Sequence, residues 1–408
     1  MFGRVGRTHR VRNACGKEMR RSGTVLPETG HVMEGKNAVL SGQLRVAPLT
    51  SRRWSIAEWL GNEAVWSSLL ARSNADALFL SWDWLTLWWH CFAAALAAVP
   101  EILAFYRGGE LVGIAPLYRR RVVRSRVLPA TSIQLIGMSW RDPGSMISEY
   151  LDIIALDSES DAVRSACARV LLSERAWTEW VIGFTAAGRQ WCEAFTPPQP
   201  GQRQYVRQLD RQVSYQADLS GGFGSYLRSL GQSTRRSVWN LRRRLALQGS
   251  VSLEFLSPAE IDSGLGDLNR LHRLRWQQPA FAGAGLDFHT QLAGRLASRG
   301  ELAFSRLRVA GQVVSVLYDI RKGACQYNIS MGFDPTFSRK LSLGLIHLGY
   351  AMEAAAERQV STYDFLAGSG LRSDYKSHLS QARRSLSCVQ VLRGFVLPPL
   401  YRWHDRVP

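Results

Sequence analysis

ACQYNISMGFDPTFSRKLSLGLIHLGYAMEAAAERQVSTYDFLAG, residues 324–368, is the stretch on which the fold turns. Residues 324–333 carry the aromatic and aliphatic content of a strand. Asp334-Pro335 marks a turn. A short polar loop follows, with Ser338, Arg339, Lys340, Ser342 and Gly344. Leu345, Leu348, Met352, Ala355 and Ala356 then form the apolar stripe of an amphipathic helix. Residues 360–367 return to strand character, and the run breaks at Gly368. A helix start of this kind offers unpaired backbone N–H groups and the positive end of the helix dipole. With Arg339 and Lys340 beside it, a pyrophosphate fits there.

Working outward, ELAFSRLRVAGQVVSVLYDIRKG (301–323) reads as a hairpin turning at Gly311. After the break come Gly370, Tyr375 and Lys376, and then a last strand over 384–393. The earlier half echoes this order. EILAFYRGGELVGIAPLYRRR (101–121) is a hairpin turning at Gly108-Gly109, and EYLDIIAL (149–156) reads as the next strand. Similar hairpins, each followed by a strand, suggest an internal duplication of one α/β unit. FTPPQPGQRQ (195–204) has three prolines and no apolar period, so it reads as a linker. The expected organisation is a basic flexible tail over 1–50, one unit over 51–215, a second over 216–395, and a short tail over 396–408.

The chain has 408 residues, is 46% hydrophobic and 21% charged, and carries a net charge of +18. That composition excludes a disordered chain. The charge favours anionic partners: a nucleotide-like ligand, nucleic acid, or peripheral contact with an anionic membrane. The six cysteines lack zinc-ligand or redox spacing, which predicts reduced thiols, no metal and a cytoplasmic setting. The basic N-terminus has no apolar core and is not a secretory signal. WLTLWWHCFAAALAAV (84–99) is too short to span a bilayer and reads as a buried helix.

SYLRSLGQSTRRSVWNLRRRLALQ (225–248) has a partial helical stripe interrupted near Gly231 and an arginine-rich face that includes Arg235 and Arg236. Arginine's planar fork suits phosphate, and a solvated basic face explains the pattern equally well. His272 and Trp276 lie in LNRLHRLRW, on a helix with Leu268 and Leu271. There His272 reads as a packed structural histidine or as a base. Asp152 ends the strand at 149–156, as an arginine partner or as a base. No Gly-x-Ser-x-Gly elbow, Walker loop or His-Glu-x-x-His motif appears.

Taken in order, FLSWDWLTLWW, ELVGIAPLY, YLDII, SYLRSLGQSTRRSVWNLRRRL, LNRLHRLRW, ELAFSRLRVAGQVVSVLYDI, YNISMGFDP and YDFLAG with its later YK resemble the GNAT-like acyltransferase superfamily. The nearest branch is the CelD/BcsL-type acetyltransferases associated with cellulose biosynthesis, which is similar to the FemAB aminoacyltransferases. The resemblance covers about residues 54 to 393. It implies an α/β (α+β) fold of tandem GNAT-like units, each a mixed sheet flanked by helices. It implies an acetyl-CoA donor, with the CoA pyrophosphate on Arg339, Lys340, Leu341, Ser342, Leu343 and Gly344. Asp364, Gly368, Tyr375 and Lys376 match the Asp-Phe-Leu-x-Gly and Tyr-Lys signature. Asp364, Tyr375, Lys376, Asp152 and His272 are then the catalytic candidates, and Arg235, Arg236, Trp276 and Gly368 the substrate contacts. Leu343 stands where that loop often has proline, and Gly368 lies further from Tyr375 than is usual. The activity implied is acyl transfer from CoA to an amine or hydroxyl of a saccharide or related acceptor, in exopolysaccharide or cellulose biosynthesis. The alternatives are a transferase using aminoacyl-tRNA and a non-catalytic subunit of an envelope-polysaccharide complex.

Overall fold

Glycine turns fold each half of the chain back on itself. Gly108 and Gly109 both have positive φ, as do Ala310 and Gly311, and such turns match the right-handed twist of the strands they join. In a computed structural model of the chain, residues 47–142, 146, 148–195, 204–338, 340–368 and 374–406 are described. The expected tail over 1–50 lies outside them up to residue 46, and the expected linker lies outside them at 196–203. The described residues from Leu49 onward form one compact unit.

The strands are β1 (Leu49–Trp54), β2 (Val99–Arg107), β3 (Glu110–Arg124), β4 (Leu128–Leu135), β5 (Ile154–Ala155), β6 (Glu179–Thr185), β7 (Gln204–Asp218), β8 (Val251–Phe255), β9 (Leu302–Val309), β10 (Gln312–Lys322), β11 (Cys325–Phe333), β12 (Thr362–Ala367) and β13 (Ala382–Arg393). They form one mixed sheet in the order β1-β2-β3-β4-β6-β13-β7-β12-β11-β10-β9-β8, with β5 beside β3. The order is mirrored about its middle. Each side runs through an antiparallel hairpin to a third strand, and that strand pairs in parallel with a fourth: β4 with β6, and β11 with β12. The fold is thus a mixed α/β fold, a large sheet flanked by helices.

The two central strands are exchanged between the sides. β7 follows β6 in the chain but pairs with β12, while β13 follows β12 and pairs with β6. β7 and β13 then pair with each other along twelve register positions, which joins the halves into one continuous sheet. Residue 215, the expected boundary, lies inside β7.

One element differs from the sequence expectation. The third strand of the first half is β4, not residues 149–156, of which only Ile154–Ala155 is extended. Tyr150 has φ +53, which breaks the extended run, and the Asp152 carboxylate accepts from the neighbouring Ile153 amide. Their apolar content buries this segment without making it a strand.

The tryptophan-rich stretch forms the helix Trp82–Phe92, capped by Ser81, whose Oγ accepts from the Trp84 amide. Trp84, Leu85, Leu87 and Trp88 are buried, and Trp59 and Trp66 pack nearby in the main core. Asp83 on this helix pairs with Arg295 of the helix Ala284–Ser298 and with Arg299, which caps that helix's C-terminus, tying the first half to the second. Among the described residues no helix is long and apolar enough to cross a membrane. Among them too, no disulfide forms and no cluster of metal-binding side chains occurs.

Candidate active site

β11 and β12 run in parallel for three register positions, from Cys325–Thr362 to Tyr327–Asp364. They then part. β11 continues to Phe333 paired with β10 alone, and its register against β10 shifts between Tyr318 and Asp319, which leaves Ile329 bulged. β12 bends at Leu366, where φ is +59, and its end pairs with β7. Two parallel strands that separate leave a wedge between them, with backbone groups of β11 released from strand pairing.

Asp364 sits at the apex of the wedge and is buried. Its Oδ2 accepts from the Tyr150 hydroxyl and from Gln216 Nε2, both at 2.7 Å, and its Oδ1 accepts from the Leu366 amide at 2.7 Å. Burial raises its pKa, opposed by those three donors. Lys376 Nζ donates to the carbonyls of Phe365 (2.6 Å), Leu366 (3.1 Å) and Ala367 (3.3 Å), clamping the bend of β12. Burial lowers its pKa, while Glu149 and Asp364 act to raise it. Glu149 Oε2 accepts from the Ala367 amide at 2.8 Å. Burial pushes Glu149 up to about 8, Lys376 opposing and the Asp364 and Asp76 charges adding. Asp76, raised to about 6 by burial, accepts from the amides of Leu78 and Phe79 and from the Tyr327 hydroxyl. The apex therefore gathers three carboxyl groups and one amine, with Asp364 buried and Glu149, Asp76 and Lys376 half-buried around it. Strongly perturbed groups cluster at functional sites.

A second buried network lies beside the apex. Asp319 accepts from Tyr363 (2.5 Å), Asn328 (2.7 Å) and Gln326 (2.9 Å), linking β10, β11 and β12 where the wedge begins.

The helix Leu343–Glu357 starts next to the far end of β11. A Cβ on Gly344 would lie 3.0 Å from the Met331 side chain and 3.1 Å from Phe333, so glycine lets the helix start against β11 without displacing those side chains. Its cap residue, Ser342, makes no side-chain capping bond. Lys340 is exposed beside it, whereas Leu341 and Leu343 pack into the core below the loop. Arg339 lies outside the described residues. An uncapped helix start with exposed Ser342 and Lys340 beside it suits a phosphate group.

The structure brings Asp364, Lys376 and Gly368 together. A Cβ on Gly368 would stand 3.0 Å from Lys376 Nζ. Tyr375 is half-buried and packs against a core that includes Tyr226 and Leu379; burial raises its pKa. Asp152 is held elsewhere, by Arg164 (3.1 Å) and Trp191 Nε1 (2.8 Å) in the first half. His272 Nδ1 contacts the Gln278 carbonyl at 2.8 Å, which ties the end of the helix Ile261–Trp276 to the loop beyond it. Trp276, at the end of that helix, is exposed, and Arg275 lies between it and Phe333 of β11.

The arginine-rich segment forms the helix Gly222–Ser229, a short turn Gln232–Arg235, a π-turn Arg236–Asn240 and the helix Leu241–Ala246. Arg235 donates to the Leu230 carbonyl, and Arg236 is exposed. Arg242 stacks on Trp239 and Tyr350 and pairs with Glu353, so its charge serves packing.

Glu149, Tyr150, Asp76 and Gln216 did not emerge from the sequence. The one local signal is the pair of acids, Glu149 and Asp152, within the apolar run 149–156. Asp76 resembles a turn residue, and its Oδ1 does accept two local amides; Gln216 is one polar residue in a long strand.

Residues 232–377 match a family model described as an acetyltransferase (GNAT) domain. Among solved structures, FemX superposes with a TM-score of 0.55 at 11% identity, covering 88% of this chain and 100% of its own. A conserved protein of unknown function from Bacteroides thetaiotaomicron superposes with a TM-score of 0.51 at 11% identity, over 85% of this chain and 100% of its own. At such identities the likeness is one of fold. No curated protein matches the chain in sequence. The splayed strands β11 and β12 both lie inside the matched segment, so it is the wedge-bearing half of the sheet, residues 232–377, that is similar to an acetyltransferase (GNAT) domain.

Proposed function

We propose that the chain moves an acetyl or other acyl group from a CoA thioester to an amine or hydroxyl of a saccharide or related small acceptor, as in the CelD/BcsL-type branch. The observation that carries this reading is the wedge itself. An uncapped helix start stands beside one strand, and a cluster of buried Asp364 with half-buried Glu149 and Lys376 lies at the bend of the other. The first suits the pyrophosphate of a CoA thioester and the second suits handling a proton.

In this reading Lys340 and the first amides of the helix Leu343–Glu357 hold the diphosphate of the donor. Released backbone N–H groups near Ser330 and Gly332 of β11 stabilise the oxyanion. Glu149 is the general base, because burial places its pKa near the working pH and its carboxylate contacts the Ala367 amide at the bend of β12. It takes the proton of the acceptor as nitrogen or oxygen attacks the thioester carbonyl. The carbon–sulfur bond then breaks, and Tyr375 hydrogen-bonds the departing thiolate. Asp364, already engaged by three donors, positions Tyr150 and Gln216 rather than moving a proton. Lys376 holds the bend of β12 and balances the carboxylates.

Calorimetric titration with acetyl-CoA, with CoA and bulk tRNA alongside, tests the donor. Micromolar binding of the thioester supports the proposal and calls for a screen of amino-sugar and polysaccharide acceptors. A FemX-like fold, a net charge of +18 and exposed Arg236, Arg243 and Arg244 favour one second reading, an aminoacyl-tRNA-dependent transferase. Salt-sensitive tRNA binding without thioester binding would select it.

A further inference from the structure

The helix Leu397–Arg406 has two dissimilar faces, and both are apolar in part. Its inner face is firmly seated. Leu397 and Tyr401 pack with Ala130 and Leu392 over β4 and β13, against Val122, Leu128 and Tyr205. Asp405 accepts from the Tyr205 hydroxyl at 2.9 Å and pairs with Arg207 at 3.2 Å, and Arg402 donates to the Gln204 carbonyl at 2.8 Å. The helix is therefore a fixed part of the fold.

Its outer face carries Val396, Pro399, Trp403 and Arg406, spaced three, four and three residues apart, which aligns them along one side. Val396 is 58% exposed and Trp403 65%, and Phe395 just before the helix is 75% exposed. Arg406 supplies the cation of this stripe and is exposed. The one carboxylate of the segment, Asp405, is turned to the inner flank by Tyr205 and Arg207. The surface thus joins exposed aliphatic and aromatic groups to a cation, with no acid among them.

We propose that this outer face, Phe395 to Arg406, docks the protein on an anionic lipid surface. Tryptophan settles at the boundary between headgroups and acyl chains, valine and phenylalanine leave water there, and arginine pairs with lipid phosphate. A second copy of the chain would set Arg406 against Arg406 across a two-fold interface. RNA would satisfy Arg406 but leave Val396 and Phe395 in water.

The test is co-sedimentation of the full chain with vesicles of phosphatidylcholine, with and without phosphatidylglycerol. The wild type is expected to bind the anionic vesicles at least about fivefold more than the neutral ones. Arg406→Glu, and Phe395→Ser with Trp403→Ser, should each lower anionic-vesicle binding by at least about fivefold. All three side chains are exposed, so an unchanged melting temperature verifies the fold; if the double variant misfolds, Arg406→Glu decides alone. Wild-type binding that both variants retain would assign lipid contact to another surface and overturn the proposal. Absence of wild-type binding would overturn it as well. So would tRNA binding that the same substitutions abolish while vesicles capture nothing.

Discussion

Glu149 and Lys376 show how the apex distributes its charge. Burial holds the Glu149 carboxyl up at about 8, and the lysine beside it pulls the other way. A base with that pKa is ionised only as pH rises, so turnover should climb through about pH 8. Glu149→Gln should lower kcat by roughly 10²- to 10⁴-fold, leave the donor's KM nearly unchanged and abolish that rise in a pH–rate profile. Lys376→Met should shift the same limb to higher pH, because it removes the charge that favours the ionised carboxylate; an unmoved limb would separate Lys376 from Glu149. Asp364, Gly368 and Lys376 were legible in the sequence because they share one short stretch of chain. Glu149, Asp76 and Gln216 were not, since they meet Asp364 and its neighbours only through folding.

The helix Leu343–Glu357 is the element that the donor reading depends on. Two contacts fix it: Gly344 against β11, and Gly349 against the π-turn, where an added Cβ would lie 2.4 Å from the Val238 carbonyl oxygen. Backbone does not yield as a side-chain end does. Gly349→Ala should cost roughly 1–3 kcal/mol of stability, read from urea unfolding. Lys340→Glu places a negative charge where the pyrophosphate is proposed to lie. It should weaken acetyl-CoA binding by roughly tenfold, more at low salt than at high salt. An unchanged dissociation constant would remove the loop from the donor site. This helix and its flanking strands were readable from apolar period and turn residues. β4 was overlooked and the 149–156 segment over-read, because apolar content alone does not distinguish a strand from a buried irregular run.

Across the whole molecule, buried titratable groups set how stability follows pH. His289 and His347 are wholly buried, and burial lowers both to about 3. The unfolded chain takes up these protons below its ordinary histidine pKa and the folded chain does not, so stability is lost as pH falls from about 6.5 towards 3. Asp76 and Asp319 oppose this, both raised to about 6 by burial. Their contribution is fully present below the unfolded carboxyl pKa and is lost as pH rises through about 6. Glu149, raised to about 8, adds a third such carboxyl, so urea midpoints of the wild type should rise modestly as pH falls from about 6 to 4.5. Asp319→Asn removes one of the three, so its midpoint should rise less over the same interval; parallel curves would count against the assignment.

Local pattern in the sequence determined the hairpins, the strand–loop–helix–strand order of the second half, the tandem character and the Asp-Phe-Leu-Ala-Gly and Tyr-Lys signature. These depend on neighbours within a few residues, where period, turn chemistry and glycine conformation act. The exchange of β7 and β13 was decided by tertiary structure, because strand partners are chosen by long-range register along the sheet. The meeting of Glu149 and Asp364 was decided there too. Those residues stand more than two hundred positions apart, and the pKa of each depends on what burial removes from water.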